Sequence, residues 1–160
     1  MQKITPFLWF NDNAEEAVNF YVSVFKNSKI GPILRCGEAG PGPVGSVLTI
    51  DFQLEGQDFI ALNGGPHFTF NEAISFSVDC QTQEEVDELW AKLTADGGQP
   101  SACSWLKDKF GVSWQIVPRI LPQLLRDKDP ARAKRAMQAM MQMGKIDIQK
   151  LKDAVESGTP

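Results

Sequence analysis

The chain has 160 residues, 42% of them hydrophobic and 22% charged, enough for one domain with a real core and a soluble surface. No run of roughly 18 apolar residues is present, so no membrane span is expected. The net charge of −4 divides unevenly: residues 1–118 carry 7 Lys/Arg against 15 Asp/Glu, and residues 119–160 carry 9 against 5. An acidic body argues against nucleic acid as a partner.

Met1 to Thr5 lead straight into a strand-like run and lack the apolar core of a signal peptide. Cys36, Cys80 and Cys103 are odd in number and form no CxxC, which points to reduced thiols and a cytoplasmic setting. Lys3–Phe10 is strand-like, apolar on both faces apart from Thr5, with Pro6 marking an edge or bulge. Asn11-Asp12-Asn13 is a turn and cap cluster, and Glu15 and Glu16 then suit the first turn of a helix buried through Ala17, Tyr21, Val24 and Phe25. Lys29–Cys36 reads as a strand interrupted by Gly31-Pro32. Residues 37–45, rich in Gly and Pro, read as a long loop usable as a lid. Ser46–Leu54 and Gln57–Leu62 form a hairpin across Glu55-Gly56.

A loop over residues 63–71 carries the only histidine, His67. Ala73–Val78 is strand-like. Thr82-Gln83-Glu84-Glu85 is a capping-box pattern for a helix whose apolar stripe is Val86, Leu89, Trp90 and Leu93, ended by Gly97-Gly98. A second hairpin turns over Asp108–Gly111. In its second strand Trp114 and Ile116 face one way, while Ser113, Gln115 and Val117 face the other. Gln115, an amide between apolar neighbours, needs a hydrogen-bond partner if buried.

The chain repeats itself. Glu15-Glu16-Ala17-Val18-Asn19-Phe20-Tyr21 aligns with Glu84-Glu85-Val86-Asp87-Glu88-Leu89-Trp90, and each copy leads to a hairpin with a glycine turn. The expected fold is α+β: two βαβββ modules (about 1–64 and 73–118) in a domain spanning 1–118, followed by a helical extension over 119–160. In that extension Asp129-Pro130 starts a helix with an Ala/Met stripe from Ala133 to Met141, and Asp147 caps a last one. Amphipathic helices of this kind need a surface to cover, and the basic tail suits an acidic surface of its own chain or of a twin subunit.

Several stretches carry a family likeness: Pro6-Phe7-Leu8-Trp9-Phe10, Glu16-Ala17 with Phe20-Tyr21, Gly40-Pro41-Gly42-Pro43, Ala61 to Pro66, Thr82 to Asp87, and above all Trp105-Leu106-Lys107-Asp108 with Gly111 to Pro118. In that order, with the Met140 to Ile148 tail, they resemble the PhnB-like subgroup of the glyoxalase/bleomycin resistance/dioxygenase (vicinal oxygen chelate) superfamily. The subgroup is also labelled demethylubiquinone methyltransferase-like. The resemblance implies U-shaped sheets, a ligand cavity between paired modules, frequent homodimers, and, in the metalloenzymes, His/Glu ligands at matching strand positions. Here those positions fall on Thr5 or Pro6, Ile60, Ala73 or Ile74, and Gln115, which do not make a divalent-metal set.

The expectation is therefore a metal-independent small-molecule-binding protein with an aromatic-lined cavity, no cofactor and a homodimeric state. The candidate ligand-binding residues are Gln115, Trp105, Phe70, His67 and Phe10. Alternative readings are a glyoxalase- or dioxygenase-like enzyme with atypical metal ligands, an enzyme relying on His67 or a surface carboxylate, and a methyltransferase as the label suggests. The last is disfavoured because Gly40-Pro41-Gly42-Pro43 lies between strands and its prolines remove N–H groups that a phosphate-binding turn would use. Cys103 reads as an inert buried thiol in a strand.

Overall fold

The computed structural model describes residues 2–157, and the chain divides into two compact units between Phe70 and Asn71. The first unit runs β1 (Phe7–Phe10), α1 (Ala14–Val24), β2 (Ser28–Arg35), β3 (Val47–Leu54) and β4 (Gln57–Asn63). The second runs β5 (Ser75–Cys80), α2 (Gln83–Thr94), a 3₁₀ turn, β6 (Gln99–Pro100), β7 (Trp105–Lys107) and β8 (Ser113–Pro118), then α3 (Ile120–Leu125), α4 (Pro130–Met141) and α5 (Ile148–Ser157). Each unit holds a four-stranded mixed sheet of identical topology, ordered β1-β4-β3-β2 and β5-β8-β7-β6, with the first strand parallel to the fourth. The α+β class and the paired βαβββ pattern are as expected from the repeat.

In the first unit the alternation of side chains sends Leu8, Phe10, Ile50, Phe52, Phe59 and Ala61 to one face, where all are buried. Helix α1 covers that face through Ala14, Ala17, Val18, Tyr21 and Val24, and the Tyr21 ring stacks 6.4 Å from that of Phe52. The expected cap from Asn13 does not form; the N–H of Ala14 instead donates to Oδ1 of Asn63 at 2.9 Å, from the end of β4. Glu55 (φ 51) and Gly56 (φ 80) both take the left-handed conformation of a two-residue hairpin turn. Strand β2 continues through Gly31-Pro32, where its register with β3 shifts, rather than breaking there.

In the second unit Val86, Leu89 and Leu93 of α2 are buried, as are Leu106, Trp114 and Ile116 of the sheet that α2 contacts. The Thr82 cap is made as predicted: its Oγ1 accepts from the N–H of Glu85 at 3.2 Å, while Glu85 reaches back to the N–H of Gln81 at 2.8 Å. Asp129 and Asp147 cap α4 and α5 by accepting from Ala131 and Lys150.

The helices after Pro118 cover a surface of their own unit. Leu121, Ala139, Ile146, Leu151 and Ala154 form a cluster against which Val117 of β8 packs. Gln83 of α2 ties in the last helix, donating to the carbonyl of Ile146 and accepting from the N–H of Ile148. Basic residues of this segment meet acidic ones of the preceding body, as Arg119 with Asp79 and Lys145 with Asp87. The hydrogen bond from Lys145 leads the causes that hold the Asp87 carboxyl below its ordinary value.

Candidate functional site

Helices α1 and α2 each cover one face of a sheet, so the residues of opposite parity define what each unit can offer a ligand. In the second unit those residues form a small grid. Ser75, Ser113 and Lys107 lie in register across β5, β8 and β7, and Ser77, Gln115 and Trp105 form the next row. Lys107 makes an ion pair with Glu72, and the hydrogen bond from Lys107 is the largest cause holding the Glu72 carboxyl below its ordinary value. The Nε2–H of Gln115 donates to Oγ of Ser75 at 2.9 Å, which supplies the partner that the sequence demanded.

Trp105 and Gln115, both half-buried, are thus direct cross-strand neighbours. The other three candidates lie in the first unit. Phe10 is 3% exposed, shares the parity of Leu8, and meets the Phe70 ring edge-on at 5.2 Å. It therefore belongs to the helix-covered core, with Phe70 partly buried beside it. His67 is exposed on the loop after β4, with Gly65 close to its ring. The neighbouring Phe68 is exposed too and packs edge-on against Trp9 at 4.9 Å.

Sequence reasoning missed a groove of about 240 Å³ on the first unit, lined by Thr5, Lys29, Gly31, Asp51, Asp58 and Ile60 among others. Gln53 donates to Asp58 there at 2.6 Å. Its signal was available in the alternation, since Asp51 and Gln53 are polar where β3 turns away from the core.

The residues at the metal positions implied by the family likeness do not make a ligand set. Ala73 and Ile74 precede β5, and Thr5 and Pro6 precede β1, whose Pro6 carbonyl accepts from the N–H of Ile60 at 3.0 Å. Around Gln115 the register supplies the hydroxyls of Ser75, Ser77 and Ser113, all neutral oxygens. Zinc and the divalent transition metals of this chemistry prefer imidazole, thiolate or carboxylate, so the donor set does not fit them. Among the described residues no group of three or more His, Cys, Asp and Glu is placed to hold a metal ion.

A nucleotide-type cofactor fits no better. The connections from β1 to α1 and from β5 to α2 run through Asn11-Asp12-Asn13 and Gln81-Thr82, without the glycine turn that lets backbone approach a phosphate. The Gly/Pro loop joins antiparallel β2 and β3 and is closed at its neck, with Cys36 N–H donating to Ser46 and Gly45 N–H to Cys36, both at 2.8 Å.

The three thiols differ in environment. Cys36 and Cys80 are buried, and burial, with smaller contributions from Glu85 and Asp79, pushes the Cys80 thiol up to about 12. Cys103 is not the buried strand residue expected. It lies before β7 with φ 57, partly exposed, its Sγ 3.7 Å from Sδ of Met141. Its N–H and that of Ser104 donate to the carbonyls of Met143 and Gly144, so the C-terminal segment fixes this turn.

A family model described as 3-demethylubiquinone-9 3-methyltransferase matches residues 2–117. Among solved structures, the chain is similar to the PhnB protein from Bacillus cereus, with 43% identity, a TM-score of 0.66, and coverage of 73% of this chain and 99% of that one. It is also similar in fold to protein PA1353 from Pseudomonas aeruginosa, at 20% identity and a TM-score of 0.60 over 74% and 98% of the two chains. No curated protein matches. The family match spans both βαβββ modules and stops one residue before the end of β8, so the chain belongs to the 3-demethylubiquinone-9 3-methyltransferase family, the PhnB-like group.

Proposed function

We propose that this chain is a small-molecule-binding protein that works without a divalent metal, and that Trp105 and Gln115 hold its ligand. The observation that carries this reading is the pairing of a half-buried indole with a half-buried amide across two strands, on the face that α2 does not cover. An aromatic wall beside a few placed polar atoms is the usual make-up of a small-molecule site. The neutral oxygens around Gln115 support the metal-free part of the reading, because they suit an organic ligand better than a divalent cation. The free cysteines support a reducing, cytoplasmic setting.

The test is native mass spectrometry and elemental analysis of protein purified without an affinity tag or chelator. A co-purifying organic molecule is expected, lost in Gln115→Ala while the melting temperature stays nearly unchanged. Stoichiometric divalent metal lost in the same variant overturns the metal-free reading. Unfolding of Gln115→Ala with no effect on a bound molecule makes Gln115 a structural hydrogen-bonding residue instead.

A homodimer is the second part of the proposal. Met137 and Met141 of α4 are 45% and 58% exposed, and lie on one side of that helix at helical spacing. Flexible thioethers on an exposed helix face suit a partner surface, and a second copy of this chain is the partner proposed.

A further inference from the structure

The internal repeat allows the two sheet faces turned away from α1 and α2 to be compared position by position. In the first unit the rows across β1, β4 and β3 read Phe7–Ile60–Asp51 and Trp9–Leu62–Thr49. In the second the corresponding rows read Ser75–Ser113–Lys107 and Ser77–Gln115–Trp105. Where the first module places Phe7, Ile60, Trp9 and Leu62 on its parallel pair of strands, the second places Ser75, Ser113, Ser77 and Gln115; on the third strand Asp51 and Thr49 correspond to Lys107 and Trp105.

Ser113 stands at the centre of the upper row. It is 2% exposed, and its Oγ has no hydrogen-bond partner. A buried hydroxyl without a partner is destabilising, and few native proteins keep one without a use for it. Beside it, Ser75 accepts from Gln115, which leaves the Ser75 hydroxyl hydrogen to donate elsewhere. Among the described residues no donor meets Oε1 of Gln115. Lys107 is the register partner of Ser113 on the other strand, and its ammonium pairs with a Glu72 side chain that is 61% exposed. An exposed pair of this kind is weak and open to competition from another carboxylate.

We propose that this row is the anion-recognising end of the ligand site, and that the ligand is a small flat carboxylate. Its carboxylate replaces Glu72 as the partner of Lys107 and accepts from the hydroxyls of Ser113 and Ser75, while its ring lies against Trp105. Trp105 and Lys107 stand two residues apart on one strand, roughly 7 Å, about the length of a single aromatic ring carrying a carboxylate. Charged acceptors make the stronger hydrogen bonds, which suits a row in which two serines and a lysine stand side by side in register. The inference rests on the ligand-binding reading above and narrows it to a chemical class.

Benzoate and benzamide share a shape and differ in charge, so they serve as probes. Titration followed by calorimetry and by NMR of the Trp105 indole and Gln115 side-chain amide is expected to show saturable benzoate binding, with benzamide at least tenfold weaker. Lys107→Met and Ser113→Ala should each weaken benzoate at least tenfold. Ser113→Ala should also keep or raise the melting temperature, because it removes an unpaired hydroxyl; a purely structural serine would not couple unchanged stability to lost binding. Benzamide binding as tightly as benzoate, with both lost in Gln115→Ala, overturns the carboxylate class and leaves the site standing. Benzoate binding unaffected by Lys107→Met and Ser113→Ala overturns the inference in the same way. Failure of both probes to bind wild type overturns it too, and if no co-purifying molecule is found either, the ligand-binding reading falls with it.

Discussion

The indole Nε1–H of Trp114 donates to Oδ2 of Asp108 at 2.9 Å, and both residues are almost fully buried. The other oxygen of the same carboxylate accepts from the N–H groups of Phe110 at 2.8 Å and Val112 at 3.1 Å. Asp108 thus ties the β7–β8 turn to the core residue that packs beneath it, and so sets where Ser113 and Gln115 emerge on the opposite face. Asp108→Ala leaves buried donors unpaired and is expected to cost about 3 kcal/mol in urea unfolding. Asp108→Asn retains one acceptor oxygen and should cost less. A variant as stable as wild type would remove the carboxylate from the account of the turn.

Asn63 performs the same kind of work in the first unit. Its Oδ1 accepts from the N–H of Ala14, and its Nδ2 donates to the carbonyl of Val47 at 3.0 Å. One side chain at the end of β4 therefore caps α1 and holds the start of β3. Asn63→Ala should lower stability by about 1 kcal/mol, the usual loss of a helix cap, and speed amide exchange in the first turn of α1. Asn13→Ala, which removes no cap bond, should leave both nearly unchanged.

These two residues also mark what the sequence disclosed and what it did not. Local signals were legible wherever cause and effect are neighbours in the chain: Thr82 with Glu85, Asp129 with Pro130, the glycine turn at Gly56, and the two apolar helix stripes. The repeat was legible because both copies keep the same acidic first turn and apolar spacing. Asn63 was invisible as a cap because it reaches its helix across 49 residues. Cys103 reads as a strand residue because the turn there is fixed by carbonyls about 40 residues on, those of Met143 and Gly144. For the candidate site, alternation alone paired Gln115 with its face, but Ser113 reads as an ordinary polar strand position until its burial is known.

Gly64 offers a steric test near the first module's sheet face turned away from α1. A Cβ at this position would lie 2.3 Å from the Trp9 ring, whose Nε1–H donates to the carbonyl of Gly65 at 2.9 Å. Nothing about the backbone at Gly64 forbids alanine, so the effect of Gly64→Ala isolates this overlap. A loss of about 1–3 kcal/mol is expected, as for other overpacked sites, with a shift in Trp9 fluorescence or indole resonance. Unchanged stability and an unchanged Trp9 signal would show that the ring has room to move.

The proposed homodimer has a specific test. Truncation at Pro118 would strip Val117 of the cluster that packs against it, so loss of solubility would say nothing about a partner. Met137→Glu and Met141→Glu instead change exposed positions of α4 and leave Ala136 and Ala139 in place. Light scattering after size exclusion should show a dimer for wild type and a shift toward monomer for the double variant. A wild-type monomer, or a dimer indifferent to both charges, would place the contact elsewhere or dispense with it.

Cys80 gives the chain a pH dependence whose sign is fixed by burial. Its thiol is pushed up to about 12 from an ordinary 9.0, chiefly by desolvation, so the folded state keeps a proton that the unfolded state gives up. Between those values the unfolded chain binds fewer protons, and stability must fall as pH rises. In Cys80→Ala this contribution is absent, so the stability of wild type relative to the variant should decline from about pH 9 upward, measured by denaturant unfolding at several pH values. The same environment governs reactivity, because the thiolate is the nucleophile. Iodoacetamide at pH 8 should therefore modify partly exposed Cys103 in the folded protein well before Cys80. Peptide mapping that found Cys80 alkylated as fast as Cys103 would show that the end of β5 opens far more readily than its burial implies.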